Sequence, residues 1–148
     1  MNTEADSADR NGVLITRPAA QAEGIRLAVE KAGLKPWLFP CLEISLNSAE
    51  RINAALRGVK AGDILIFVSP NSVAGVFNAV DAGLRQQLRS AQLAAVGRRT
   101  QAALEDEGLF VAITPDKKHQ NSEGLLQHEL LQDLEGRHVF IVRGQLGR

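Results

Sequence analysis

The sequence predicts an α/β protein of mainly parallel sheets flanked by helices. Three observations carry this. Short apolar runs of strand type alternate with helical stripes along the chain. The turns between them carry residues that stop strands and start helices. The clearest unit, residues 64–80, reads as strand, tight turn and helix. There Ile64-Leu65-Ile66-Phe67-Val68 is too short for a good helix and apolar enough for a buried strand. Ser69 suits an N-cap, Pro70 suits the first helical position, and Val73, Val76, Phe77 and Val80 mark one helix face.

The other elements follow in order. Residues 1–11 are polar and acidic and read as a disordered leader. Residues 12–16 form a buried-type strand that Arg17-Pro18 breaks. Ile25, Ala28, Val29 and Ala32 give a helical stripe, closed by Gly33 as the residue past the helix end. Residues 35–45 are extended and apolar, with Pro36 and Pro40 forbidding a helix and favouring an edge strand that runs into a crossover. Ser48 caps a helix whose inner face is Ile52, Ala55, Leu56 and Val59. After the central unit, residues 84–88 add a short helical turn. Residues 93–97 form a strand, and residues 98–107 a helix stopped by Gly108. Residues 109–113 form a strand and residues 114–120 a polar loop. Ser122 caps a helix lined by Leu126, Leu130 and Leu134, with Glu123 in its first turn where a negative charge suits the dipole. Residues 138–142 form the last strand. The loop after it should launch another helix, so the sequence reads as a fragment, because a parallel sheet is normally covered on both faces.

Composition narrows the function classes. A chain of 148 residues that is 45% hydrophobic and 23% charged has the balance of a globular protein. Its formal net charge of zero argues against a general nucleic-acid or polybasic membrane binder. The one cysteine, Cys41, excludes an internal disulfide and makes the cytoplasm the default compartment. No apolar run resembles a secretory signal or a membrane span.

The chemistry concentrates in the strand-to-helix turns. Thr16-Arg17-Pro18, Ser69-Pro70-Asn71-Ser72, Gly97-Arg98-Arg99-Thr100 and Arg143-Gly144 combine hydroxyls, glycines or guanidinium groups with backbone N–H groups, and residues 114–122 add a longer loop. Such sets pair with carboxylates or phosphates. In a parallel sheet they all emerge at the carboxyl edge, where ligands bind. The turn after residues 64–68, taken alone, fits better as an ordinary strand-to-helix turn with no ligand. Arg98 and Arg99 also fit as solvent-facing residues, and Arg143 as a strand end. Nucleotide-binding glycine motifs and a nucleophile elbow are absent. His119, His128 and His138 lack metal-type spacing, with His128 read on a helix surface. Cys41 and Trp37 read as packing residues, and Glu105-Asp106-Glu107 as a solvated helix end.

Six segments, in this order and at this spacing, resemble the uroporphyrinogen-III synthase family. They are Leu14-Ile15-Thr16-Arg17-Pro18, Phe39-Pro40-Cys41-Leu42-Glu43-Ile44, Phe67-Val68-Ser69-Pro70-Asn71-Ser72-Val73, Ala95-Val96-Gly97 with Thr100, Ser122-Glu123-Gly124-Leu125-Leu126, and Ile141-Val142-Arg143-Gly144 with Gly147-Arg148. The resemblance implies a two-domain architecture. Residues 12–39 would begin domain one, and residues 40–148 would form most of domain two. It also implies a hydro-lyase of haem, sirohaem and cobalamin synthesis that converts hydroxymethylbilane to uroporphyrinogen III, losing water and inverting ring D. No cofactor and no metal are implied.

The resemblance maps substrate binding onto the turns. Thr16 and Arg17 would contribute from domain one, and Ser69, Asn71, Gly97, Ser122, Arg143 and Gly144 from domain two. Thr100 is the candidate hydrogen-bond donor for loss of the hydroxyl, and it fits equally as a plain first-turn helix residue. Porphobilinogen deaminase would be a partner as the source of substrate, no nucleic acid or membrane would be, and the intact protein would be a monomer. The family's chains continue past the Arg-Gly strand into a segment bearing a tyrosine favoured as proton donor, and tyrosine is absent here. The expectation is that the 148 residues alone have little or no activity, with residues 13–15 and the Ile25–Ala32 stripe poorly buried. The rival readings are a non-catalytic tetrapyrrole-binding or regulatory module on the same fold, and a flavodoxin-like ligand domain.

Overall fold

The computed structural model describes residues 11–144. The proposed leader and the Gly147-Arg148 pair lie outside that range, apart from Asn11. The chain divides into two compact units, one up to Leu46 and the other from Asn47 onward.

In the first unit, β1 (Gly12–Ile15) pairs in parallel with β2 (Lys35–Leu38), Gly12 opposite Lys35 and Ile15 opposite Leu38. A 3-10 turn at Ala19–Gln21 leads into α1 (Glu23–Lys31). Gly33 ends α1 at φ 75, a left-handed conformation that favours glycine. Gly33 and Leu34 then return N–H bonds to the Glu30 and Val29 carbonyls. Ile15, Ala22 and Val29 are buried, with Val13, Ile25 and Leu34 packed against them. The predicted stripe is narrower than expected, because Ala28 and Ala32 face solvent. Ile15 corrects the expectation of poor burial, since α1 covers it. The opposite face keeps that expectation, with Leu14 61% exposed. Trp37 lies on this face beside Leu14, partly exposed, with Lys35 Nζ 4.3 Å above its ring. Its indole occupies the space a Cβ on residue 12 would need, so any larger residue there would displace the ring. Residues 39–48 form no further strand, although the Phe39 and Cys41 N–H groups still bond the Ile15 and Thr16 carbonyls. Cys41 is exposed, which corrects its reading as a packed residue.

The second unit is a four-stranded, all-parallel sheet in the order β5-β4-β3-β6. The strands are β3 (Ile64–Phe67), β4 (Gln92–Ala95), β5 (Val111–Ile113) and β6 (Val139–Val142). The helices are α2 (Ala49–Leu56), α3 (Pro70–Phe77), α4 (Ala82–Leu88), α5 (Arg98–Asp106) and α6 (Ser122–Leu126). Period-two alternation splits the central strands between two cores. Leu65, Phe67, Leu93 and Ala95 face one core, filled by Leu56 and Val59 after α2, Val73, Val76 and Phe77 of α3, Leu84 and Leu88 of α4, and Leu104 of α5. Ile64 and Ala94 face a smaller core with Ile113 and Leu125. The β4–β5 register shifts between Leu93 and Ala94, which sends Val111 and Ile113 to different cores.

Several boundaries differ from the sequence reading. The turn expected at 84–88 is a two-turn helix, because Asp81 Oδ1 accepts from Leu84 N at 2.8 Å and starts it early. Ala55 faces solvent rather than the core. The strand expected from 109 begins at Val111; Leu109 is buried but Phe110 is 85% exposed. Asn121, not Ser122, caps α6, its Oδ1 accepting from Gly124 N at 2.8 Å. The helix lined by Leu126, Leu130 and Leu134 does not form as one piece. α6 stops at Leu126, His128 is extended (φ −67, ψ 135), and a 3-10 turn follows at Glu129–Leu131. His128 is therefore a cap, with Nδ1 accepting from Leu130 N, and not a helix-surface residue. The residues that reach the core are Leu125, Leu130 and Leu131, a set that no single helix presents on one face. Glu107 is also more than a solvated helix end: it pairs with Arg85 at 2.7 Å, tying the end of α5 to α4.

Candidate functional site

The strand order sets where a site can form. β3 leads through α3 and α4, on one face, to β4 on one side. β5 leads through α6, on the other face, to β6 on the opposite side of β3. The order therefore reverses at β3, and ligands of such sheets bind outside the carboxyl ends at that point. The ladder stays in register to the edge: Val68 N bonds the Val142 carbonyl at 3.3 Å and Val96 N bonds the Phe67 carbonyl at 3.2 Å. By continuation of that register Ser69 sits between Gly97 and Gly144, roughly one strand spacing (about 4.8 Å) from each, with Arg143 level with Val68.

Each turn has its own chemistry. At the start of α3, Ser69 and Ser72 form a reciprocal cap. Ser72 N donates to Ser69 Oγ and Ser69 N donates to Ser72 Oγ, both at 3.2 Å, while Ser72 Oγ donates to the Ser69 carbonyl at 2.6 Å. Ser72 is fully committed by these bonds. Ser69 Oγ uses only its acceptor side, so its O–H remains for an acceptor such as a carboxylate. Asn71 is half-buried in the same first turn. At the start of α5, Gly97 supplies no side-chain cap; its carbonyl takes Thr100 N at 3.0 Å, and the Arg98 and Arg99 N–H groups are left to solvent or ligand. Thr100, the third residue of α5, is only 3% exposed, while Arg98 and Arg99 beside it are exposed.

After β5, the loop 114–121 folds on Asp116. Its Oδ1 accepts from Lys118 N and His119 N, each at 2.7 Å, and its Oδ2 lies 3.1 Å from His119 Nδ1. The imidazole first, then the two N–H groups, hold the Asp116 carboxyl below its ordinary range. Ser122 is exposed at the start of α6, and Arg143 and Gly144 are exposed beyond β6. Thr16 and Arg17 are exposed at the end of β1 in the first unit.

The carboxyl edge of the second unit thus brings together Ser69, Asn71, Gly97, Thr100, Ser122, Arg143 and Gly144. Arg98, Arg99, Lys117, Lys118 and Arg143 outnumber Asp116 and Glu123 there. The Asp116–His119 pair was missed by a reading that tested histidines for metal spacing alone. Its sequence signal is an acid three residues before a histidine in a polar loop. Among the described residues, no group of three or more His, Cys, Asp or Glu side chains could hold a metal, and no helix is long and apolar enough to cross a membrane.

Fold and edge together define a parallel α/β unit whose carboxyl-edge turns have the chemistry to suit an anionic small molecule. The family profile described as uroporphyrinogen-III synthase HemD matches residues 23–148. The chain belongs to the uroporphyrinogen-III synthase family. It is 28% identical over 137 residues to the uroporphyrinogen-III synthase of Escherichia coli K12, covering 92% of this chain and 55% of that protein. It is 31% identical over 88 residues to a putative uroporphyrinogen-III synthase of Methanocaldococcus jannaschii, covering 60% of this chain and 35% of that one. A crystal structure of mutant uroporphyrinogen III synthase from the extremely thermophilic bacterium Thermus thermophilus shares the fold, with a TM-score of 0.58 and 23% identity over 78% of this chain and 46% of that chain. The chain therefore spans about half the length of the E. coli relative or less of the others.

Proposed function

We propose that this chain supplies part of a uroporphyrinogen-III synthase, the hydro-lyase that cyclises hydroxymethylbilane to uroporphyrinogen III for haem, sirohaem and cobalamin synthesis. The observation that carries the reading is the family match over residues 23–148, joined to an edge of outward-facing donors. The substrate is a polycarboxylate, which Ser69 O–H, the uncapped α5 start, Asn71, Ser122 and Arg143-Gly144 suit as hydrogen-bonding and charged partners. Thr16 and Arg17 would contribute from the domain that residues 12–39 begin, and residues 40–148 would form most of the other.

The chemistry needs little from a nucleophile. A general acid protonates the departing hydroxyl, its C–O bond breaks, and water leaves. The terminal ring must then be held so that its substituted carbon attacks, giving a spiro intermediate that rearranges, closes the ring and returns a proton. Thr100 is the donor candidate within this chain, although its burial limits it to a ligand that reaches over the first turn of α5. Porphobilinogen deaminase would supply the substrate, in the cytoplasm, to a monomeric enzyme.

Because the chain spans about half of its E. coli relative, we infer that the 148 residues alone turn over little or no substrate. A coupled assay tests this. Porphobilinogen deaminase generates hydroxymethylbilane, the chain is added, and the oxidised products are separated into isomers I and III. Isomer I alone is expected. Excess isomer III would overturn the inferred insufficiency. Joining the chain to the C-terminal portion of a longer relative should then yield isomer III. If it does not, a non-catalytic tetrapyrrole-binding module becomes the better reading.

A further inference from the structure

The loop after β5 is more constrained than a simple connection requires. Asp116 takes two backbone N–H groups and one imidazole from its own loop. The His119 carbonyl accepts from Asn121 N at 2.9 Å, and Asn121 Oδ1 accepts from Gly124 N at 2.8 Å. Gly124 is buried against the His119 backbone, and a Cβ there would collide with the His119 carbonyl oxygen. Any larger residue at 124 would push the loop away from α6. The His119 backbone is therefore held from both sides, yet its side chain stays 59% exposed.

The chemistry of this pair is directional. An ionised carboxylate only accepts hydrogen bonds, so the imidazole donates to Asp116 through Nδ1. The low pKa of Asp116 keeps it ionised across the range in which histidine titrates. Among the described residues no partner engages Nε2. When His119 is protonated, Nε2–H is a charged donor whose ring orientation Asp116 has already fixed. The other charged groups on the loop and on α6 packed against it are Lys117, Lys118 and Glu123, so positive charge prevails once His119 is protonated.

We propose that the Asp116–His119 pair is a carboxylate-binding device at the carboxyl edge, with His119 Nε2–H pairing with a carboxylate of the bound ligand. The inference rests on the reading of this edge as a polycarboxylate site and adds a group to it. Lys117 and Lys118 add attraction without fixed geometry. The Nε2–H donor exists only on the charged ring, so binding weakens as the ring gives up its proton.

The test uses the whole chain and uroporphyrin III, a stable polycarboxylate macrocycle, titrated by fluorescence quenching from about pH 6 to about pH 8. The unsubstituted chain should bind more tightly at the low end. His119→Gln should lose about tenfold in affinity there and flatten the profile, because a charge-assisted bond is removed. Asp116→Asn should retain only part of the affinity, since the carboxylate that holds Nδ1 and fixes the ring is gone. Comparison between variants at each pH cancels the ionisation of the ligand itself. Circular dichroism checks folding, and the unsubstituted chain's own profile provides a readout free of mutation. If that profile is flat, or if His119→Gln matches it at every pH, the His119 proposal is overturned while the polycarboxylate reading of the edge stands. If the unsubstituted chain does not bind uroporphyrin III at all, both fall.

Discussion

The two ends of the four-stranded sheet handle polar groups in opposite ways. At the amino end nearly every group is answered within the chain. Asp63 is 4% exposed, its Oδ2 accepts from Lys60 N at 2.7 Å, and its Oδ1 accepts from His138 N at 3.0 Å. Its own carbonyl takes Gln92 N at 2.8 Å, while Ile64 N bonds the His138 carbonyl at 2.9 Å. One residue thus ties the starts of β3, β4 and β6 together. At the carboxyl end the same sheet finishes in a helix start with no side-chain cap, a serine with an unused O–H, exposed Arg98 and Arg99, and a histidine held at one nitrogen. Closed networks stabilise a fold, whereas donors left open are available to a ligand. The contrast assigns stability to one end and recognition to the other, and each of the following substitutions tests that division.

The largest effect is expected at the closed end. Asp63→Ala would strand two N–H donors under a largely buried site and should lower the unfolding midpoint on the order of 10 °C. The pH dependence has a definite sign. The His138 N–H first, and then the Lys60 N–H, hold the Asp63 carboxyl below its ordinary range. A group with a lowered folded pKa adds stability that is fully present above its unfolded value, about 4, and is lost as pH falls through the folded value. Thermal melts of the chain and of Asp63→Asn should therefore differ most near neutrality, begin to converge below about pH 4 and meet only below the lowered folded value. Equal melts at neutral pH would break the comparison at its strongest point. Uroporphyrin binding per folded molecule should be unchanged.

The sequence made the open end more legible than the closed one, for physical reasons. Strands at 64–68, 93–97 and 138–142 announce themselves by continuous apolarity, and Ser69-Pro70 and Gly97 by turn chemistry, all of which are local signals. Parallel pairing with β3 at the reversal point is not local, yet it is what sets Ser69 between Gly97 and Gly144. Asp63 gave no signal, because a carboxylate before a strand looks like any turn residue until His138, 75 positions away, arrives to donate to it. The stretch after Ser122 misled in the opposite direction. Leu126, Leu130 and Leu134 have helical spacing, but Leu125 is the buried residue, and a histidine cap breaks the helix where the pattern seemed to continue. His119 was hidden because its partner is three residues away in a loop, where neither strand nor helix periodicity applies.

An intermediate effect is expected at the reciprocal cap of α3, where stability and recognition overlap. Ser69→Ala and Ser72→Ala each break the cap and should each cost about 1 kcal/mol in chemical denaturation. Only Ser69 retains an O–H to give away, so only Ser69→Ala should also weaken uroporphyrin binding. If both variants weaken binding equally, the cap positions the turn and Ser69 is not itself a ligand group.

The smallest change in stability, and the sharpest test of the open end, is Gly97→Ser. Gly97 is extended at φ −153, and a Cβ built there meets nothing within 4 Å, so the backbone accepts serine without strain. A serine hydroxyl would cap α5 as Ser69 caps α3, adding a few tenths of a kcal/mol. That bond would draw on Thr100 N, which already donates to the Gly97 carbonyl, and would place a side chain over the Arg98 and Arg99 N–H groups that the proposed site leaves for a carboxylate. The expected outcome is a slightly higher unfolding midpoint together with weaker uroporphyrin binding. A gain in stability with binding intact would mean that the start of α5 is an ordinary frayed helix end, and that recognition at this edge rests on the flanking turns. Opposite signs for the two readouts are what a donor kept open for a ligand requires, because closing it helps the fold and hinders the site.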